Sequence, residues 1–506
     1  MSSVNNKRIL KNTLFLYFRM IVVMAVNLYT VRVVLHQLGV VDYGIYNVVG
    51  GVVSMFSFIN STLTTSSQRY FSIELAKGDE VKLNQWFCLN ITTFSIFILA
   101  FLIISETIGL WFVNTQMVIP EERLFAVNVV YQLSICTFCI HFFSIPYHAL
   151  IIAHEKMSAF AYISIVEVLL KLCIALLLAV ILWDKLIVYG ILMFLVSCGI
   201  TGAYIVYNIR HFRESKYHLY WNRKEMKDLL SFSGWHFFGT FSTVIRSQGI
   251  NILLNMFFNP AINAARAIAF QIYHAVSQLS ANFIVAVKPQ IYKSYAKGNY
   301  DELYRLIIRS STICSFLVSV LIFPILIDTN FVLGLWLENV PDYAVVFTQL
   351  VLINGLIDAV NVPLVAAALA TGKIKNYELL VATAILMNLP FSYIALKLGA
   401  EPTATMIVSI VISILTTYAR AYMVYKMVGM PLSKCTKMFF KLIFASLLTC
   451  GIMYVTVYDA KDMSILKFIL YAIFAVMVLF ATYLVFVFDR KDVKYACQFI
   501  NKKIKK

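Results

Sequence analysis

The sequence predicts an all-α integral membrane protein of about fourteen transmembrane helices, arranged as two parallel six-helix repeats plus two C-terminal helices. Three observations carry that expectation. Of 506 residues, 61% are hydrophobic and only 13% charged, with a mean hydropathy of +0.81, whereas a soluble chain holds roughly half apolar and about a quarter charged residues. The apolar residues fall in stretches long enough to cross a hydrocarbon core about 30 Å thick. The chain also resembles itself at a shift of about 220 residues, the mark of paired halves in transport proteins.

The stretches run, in order, over 12–38, 43–67, 84–113, 123–150, 158–183 and 186–210 in the first half. They continue over 229–258, 262–288, 303–327, 343–370, 377–396 and 403–426, with a final pair at 437–458 and 465–488. The net charge of +17 would suggest nucleic acid in a soluble chain. Here the basic residues sit in short connections on alternate sides, where they act as orientation signals that place both termini in the cytoplasm. The opposite connections carry chiefly Arg123, Lys185, Lys397, Lys461 and Lys467, and the one with Asp328, Glu338 and Asp342 has no Lys or Arg. No outer connection is large enough to fold as a domain.

Lys7, Arg8 and Lys11 precede an apolar run too long for a signal peptide and without a small-residue cleavage site, which predicts a retained first helix. Cys136 and Cys139 form the one CxxC; lying in mid-span without a second ligand pair, they read as packing residues, and no metal site is expected. The self-match lays Ala76-Lys77-Gly78-Asp79 on Ala296-Lys297-Gly298-Asn299, and the turn 39–47 on 259–267. At a slightly smaller shift Pro146, Ala149, Ala153 and Lys156 fall on Pro363, Ala366, Ala370 and Lys373. Six helices per repeat is an even number, so the halves run in the same direction. The expected organisation is therefore a half at 1–210, a cytoplasmic linker at 211–228, a half at 229–427, two further helices within 428–488 and a basic cytoplasmic tail at 489–506. In the tail, Val493, Cys497, Ile500 and Ile504 share one helical face suited to the inner leaflet. The segment from Arg210 to Asp228 holds six Lys and Arg residues among Tyr217, Tyr220 and Trp221, a topology signal that also attracts anionic lipid.

Three segments resemble a known family: Leu38-Gly39-Val40-Val41-Asp42-Tyr43-Gly44-Ile45-Tyr46-Asn47, Ser67-Gln68-Arg69-Tyr70-Phe71 running into Ala76-Lys77-Gly78-Asp79, and Asn263-Ala264-Ala265-Arg266. They are similar to the polysaccharide transporters of the multidrug/oligosaccharidyl-lipid/polysaccharide (MOP) exporter superfamily, which include the Wzx-like O-antigen flippases. The resemblance implies a MATE-like fold in the bacterial cytoplasmic membrane. It also implies an alternating-access exporter for a polyprenyl-pyrophosphate-linked oligosaccharide, an O-antigen or capsular repeat unit. The additional helix pair favours this branch over the twelve-helix drug exporters.

Such a substrate has an anionic head that must cross lipid, so fixed positive charge in mid-membrane is where binding is expected. Arg19 and Arg246 lie deep in the repeat-related first and seventh helices, and Arg32 and Arg266 nearer the outer ends of the first and eighth. The plainer readings are an interhelical ion pair or carbonyl clamp for the first two, and snorkelling to the interface for the others. Glu167 and Lys171, four apart on the fifth helix, share a face. They neutralise each other, or substrate phosphate takes Lys171 and frees Glu167 for a proton. Asp358, between Asn354 and Asn361-Val362-Pro363, is a candidate Na⁺ or H⁺ site beside carbonyls freed by the proline, or else the structural partner of an arginine. Polar residues from Asn60 to Gln68 and from Gln271 to Asn282 suit sugar hydroxyls but equally suit helix packing. His141, His148, His236 and His274 read as packed residues.

The expected site thus comprises Arg19, Arg32, Arg246, Arg266 and Lys171 for substrate and Asp358 and Glu167 for a coupling ion, with no catalytic residue and no cofactor beyond that ion. Expected partners are the lipid-linked glycan, membrane lipids and polysaccharide assembly proteins, with no nucleic acid. The alternative is a Na⁺/H⁺-coupled multidrug (MATE-type) antiporter, for which a cavity dominated by carboxylates and aromatics would be more apt. A polytopic glycan polymerase is disfavoured by the short outer loops. No phosphate-binding glycine loop, HExxH pair or nucleophile elbow is present.

Overall fold

The structure, a computed structural model, describes residues 2–54, 57–115, 121–258, 260–337, 339–457 and 464–488. The basic tail, Asn259 of the repeated turn and Glu338 lie outside the described residues. Backbone polar groups in lipid must be satisfied within their own segment, and helices do this without an edge. The chain accordingly forms α1 (Ser2–Ser54), α2 (Ser57–Lys77), α3 (Glu80–Ile104), α4 (Leu124–Ala153), α5 (Met157–Leu177), α6 (Lys185–His211) and α7 (Arg223–Phe257). It continues with α8 (Pro260–Ala296), α9 (Tyr300–Ile327), α10 (Ala344–Thr371), α11 (Lys375–Lys397, interrupted at Met387), α12 (Ala404–Val428), α13 (Leu432–Val457) and α14 (Ile465–Thr482). Gly39 (φ 75°, ψ 169°) leaves the helical conformation and divides α1 into two helices, so the first expected span and the start of the second are separated there.

Among the described residues, eleven helices are long and apolar enough to cross a membrane. The expected spans at 229–258 and 262–288 are helical where described, yet too polar to qualify by composition, and the one at 43–67 crosses residues outside the described ones. The cause is visible in their side chains. Residues such as Thr62, Ser66, Ser67 and Gln68 on α2 and Ser280 and Asn282 on α8 are buried in the protein rather than turned to lipid. Ser66 Oγ lies 2.8 Å from Ser233 Oγ, and Ser67 Oγ donates to Asn90 Oδ1 at 2.8 Å.

Met1–Phe237 with Val285–Lys297 forms one compact unit, and Phe238–Ile284 with Gly298–Lys506 the other. In the first, α1 packs on α5, and α4 packs on α2 and α6. In the second, α10 packs on α9 and α12, and α7 packs on α11, where Phe257 meets Tyr393 edge-on at 5.7 Å. The pairings α4 on α6 and α1 on α5 thus recur as α10 on α12 and α7 on α11.

Local details recur as well. Gly78 (φ 75°) and Gly298 (φ 67°) both adopt left-handed backbone just past a helix end, a conformation that costs glycine nothing. The residue after each caps the next helix: Asp79 Oδ1 accepts from the Lys82 amide at 2.8 Å, and Asn299 Oδ1 from the Glu302 amide at 3.2 Å. Pro146 and Pro363 stand inside α4 and α10. Helices α13 and α14 pack on α9 and on each other, and present an apolar outer face on which Leu447, Val455 and Leu466 are two-thirds or more exposed. Such a face is satisfied by lipid rather than by water.

Candidate functional site

The first unit gathers a polar cluster from α1, α4, α5 and α6. Arg19 on α1 reaches Ser164 Oγ on α5 at 3.5 Å, and its guanidinium lies 4.5 Å from the centre of the Phe160 ring. Its electrostatic neighbours include Tyr204 on α6 and Glu167 on α5. Lys171 Nζ and Glu167 Oε1 form the expected pair at 2.6 Å, both about a quarter exposed. Glu167 also faces two histidines of α4: His141, which lies 3.3 Å from Ser197 Oγ, and His148, whose ring packs edge-on to Phe160 at 4.7 Å. In the sequence these histidines stand singly. Their seven-residue spacing, which repeats a helix face, was the available signal.

The second unit builds a compact site from α7, α8, α10 and α12. A cavity of about 40 Å³ is lined by Arg246, Arg266, Phe270, Tyr273, Asn354, Asp358 and Ser409 together with apolar side chains. Asp358 accepts from Tyr273 Oη at 3.1 Å and from Asn354 Nδ2 at 2.9 Å, with Arg246 and Arg420 as its charged neighbours. Pro363 interrupts the α10 ladder one turn further on, where Ser311 of α9 donates to the Val360 carbonyl at 3.0 Å. Arg266 is buried, donates to Asn251 Oδ1 through Nη1, and stacks on Phe270 at 4.3 Å; its Nε has no partner. Arg246 makes no hydrogen bond or ion pair among the described residues, although it lines the cavity. The Asp358 carboxylate is satisfied by neutral donors, which leaves a guanidinium with its donors unclaimed.

Of the expected site residues, Arg246, Arg266 and Asp358 are brought together, and Arg19, Glu167 and Lys171 form a separate group in the other unit. Arg32 is exposed on α1 and joins neither group. Tyr273, Asn251 and Arg420 were not anticipated.

A third network holds the α4–α5 turn. The buried carboxylate of Glu155, a residue with φ of 61°, receives Arg8 Nε at 3.1 Å, Gln290 Nε2 at 2.6 Å and Lys293 Nζ at 2.6 Å. Beside it His154 Nε2 meets Glu214 Oε1 at 2.5 Å. Burial pushes the Glu214 carboxyl up, but the bonds from His154 and its own backbone outweigh it and hold the group below its ordinary value.

Residues 9–330 match the family of polysaccharide biosynthesis proteins. No curated protein matches the chain. Among solved structures, an outward-facing multidrug resistance MATE transporter of the MOP superfamily superposes with a TM-score of 0.70 at 12% identity, over 83% of this chain and 96% of that one. The MATE transporter ClbM in complex with Rb⁺ gives 0.68 at 13% identity, over 81% and 93%. A MOP superfamily transporter from Pyrococcus furiosus, described as having a binding pocket of reversed polarity, gives 0.64 at 11% identity, over 82% and 96%. At these identities the likeness establishes the fold, which is that of the MOP transporters.

Proposed function

The chain belongs to the polysaccharide biosynthesis protein family, and from that premise, with a multi-pass membrane exporter fold, we propose that it moves a polyprenyl-pyrophosphate-linked oligosaccharide across the bacterial cytoplasmic membrane by alternating access. The observation that carries the choice of an anionic substrate is the Arg246 guanidinium, which lines a cavity beside buried Arg266 with its donors unclaimed among the described residues. A cationic drug would meet repulsion there, since Arg246, Arg266 and Arg420 surround the single carboxylate of Asp358.

In this reading Arg19, Lys171, Arg246 and Arg266 contact the head group as it passes, and exposed Arg32 meets it at the membrane surface. Asp358 and Glu167 exchange a coupling H⁺ or Na⁺. The size of the Asp358 cavity suits that division: about 40 Å³ admits a few waters or a small ion but no sugar, since one water needs roughly 10–15 Å³ on the same measure. Both termini are cytoplasmic, and the polysaccharide assembly machinery supplies the substrate on one face and removes it on the other.

Proteoliposomes loaded with a fluorescent polyprenyl-pyrophosphate oligosaccharide test the assignment. Wild type translocates it, and the Arg19→Ala plus Arg246→Ala variant does so far more slowly. Equal rates would refute the arginine assignment, and cation-drug efflux without glycan movement would establish the antiporter instead.

A further inference from the structure

We propose that Lys288, with Thr65 and Arg69, forms a second anion seat for a pyrophosphate group, distinct from the Arg246 cavity and contained in the first unit. The proposal rests on the anionic-substrate reading and adds a place where the head group docks.

Lys288 belongs to the last turns of α8, which are part of the first unit. Its ammonium donates to Thr65 Oγ1 on α2 at 3.2 Å and lies 5.9 Å from the centre of the Tyr292 ring. No carboxylate pairs with it among the described residues. The contrast with its neighbour is informative: Lys293, five residues on, is neutralised by Glu155 at 2.6 Å. An ammonium has three protons to donate, and one neutral hydroxyl leaves its charge uncompensated. Half-buried charge of this kind is retained at a cost unless a counter-ion arrives.

The surroundings are built for an anion. Arg69 lies one helical turn beyond Thr65 on α2, as Tyr292 lies one turn beyond Lys288 on α8, so two turn-spaced pairs meet across the helix contact. Arg69 is buried against the rings of Tyr70 at 4.8 Å and Phe232 at 5.1 Å, and its electrostatic neighbours are Tyr70, Tyr292 and Tyr295, all neutral phenols. Two further donors wait beside these cations: Tyr292 Oη and Gln68 Nε2 are buried and have no hydrogen-bond partner among the described residues. Gln68 shares the Thr65 face of α2 at i, i+3. The Lys288 ammonium and two unclaimed donors, beside the Arg69 guanidinium, match the many acceptor oxygens of a pyrophosphate.

The test uses the full chain in lipid nanodiscs, titrated calorimetrically with inorganic pyrophosphate and with polyprenyl pyrophosphate. Polyprenyl pyrophosphate is expected to bind, Lys288→Arg to retain binding, and Lys288→Met to weaken it at least about tenfold, which corresponds to ~1.4 kcal/mol. The same Lys288 dependence for free pyrophosphate identifies the phosphate chemistry as sufficient; binding of the lipid form alone identifies the lipid-borne head group. Amine acylation of the wild type, read by mass spectrometry, gives a second measurement that needs no variant: ligand protects Lys288. Unchanged affinity in Lys288→Met, or no protection, overturns the second seat, and loss of binding in Arg246→Ala in that case leaves the functional reading standing. A wild type that binds neither ligand overturns both.

Discussion

Replacing Asp358 in two ways separates its charge from its hydrogen bonds. The carboxylate accepts from Tyr273 Oη at 3.1 Å and Asn354 Nδ2 at 2.9 Å and lies near Arg246 and Arg420. Asp358→Ala strands both donors and leaves the arginines without a counter-charge, a loss of about 3–5 kcal/mol by comparison with broken buried pairs. Asp358→Asn keeps an acceptor for Tyr273. The Asn354 amide, whose Oδ1 is buried without a partner, can turn over so that this oxygen accepts from the new amide. Both variants lose the charge, and the alanine variant alone strands the two donors, at about 1–3 kcal/mol each. Unfolding in mixed detergent micelles measures both variants, and the alanine variant should be the less stable by about 2 kcal/mol or more. Equal losses would show that the hydrogen-bonded arrangement around Asp358 is wrong.

Other perturbations follow from the same geometry. At Gly355 on α10, an added Cβ would stand 3.0 Å from the rigid Tyr273 ring, so Gly355→Ala should cost about 1–3 kcal/mol of unfolding free energy, whereas Gly234→Ala, where a Cβ meets nothing within 4 Å, should not. Glu155→Ala leaves Lys293 without its carboxylate and should destabilise by about 3 kcal/mol; adding Lys293→Met should recover part of that loss, because the part-buried ammonium is then gone and the one charge lacking its partner is the half-exposed Arg8. Glu214 is held below its ordinary value of 4.5, so the stability it contributes is present above that value and is lost as pH falls through the lower folded value. Thermal unfolding of Glu214→Gln between pH 6 and the acid limit should therefore show a shallower acid decline than the wild type, and an identical decline would exclude the His154–Glu214 contact as its source.

The helices were legible because lipid leaves a chain few alternatives: apolar length alone marks most of them, and the repeated AKG turn could be matched because Gly78 and Gly298 occupy the same left-handed backbone. The spans at 43–67, 229–258 and 262–288 were legible as apolar runs like the rest, whereas the burial of the polar groups they carry became visible only in the fold. Charges in apolar runs flagged Arg246, Arg266 and Asp358 individually, since such residues are expensive anywhere else. Their partners were not legible. Tyr273 and Asn251 are ordinary residues until folding sets them beside a charge. Lys288 read as the end of a span because its seat is made with Thr65, 223 positions away, and no local spacing reports such a contact.

The central claim is that positive charge inside this transporter serves an anionic lipid head group. Proteoliposomes containing this chain alone, offered two glycolipids with the same sugar and polyprenyl chain, one joined through pyrophosphate and one through a neutral ether, test it directly. The account predicts translocation of the pyrophosphate-linked lipid and little of the neutral one, with the difference abolished in Arg246→Ala plus Lys288→Met. Equal transport of both lipids by the wild type would contradict it.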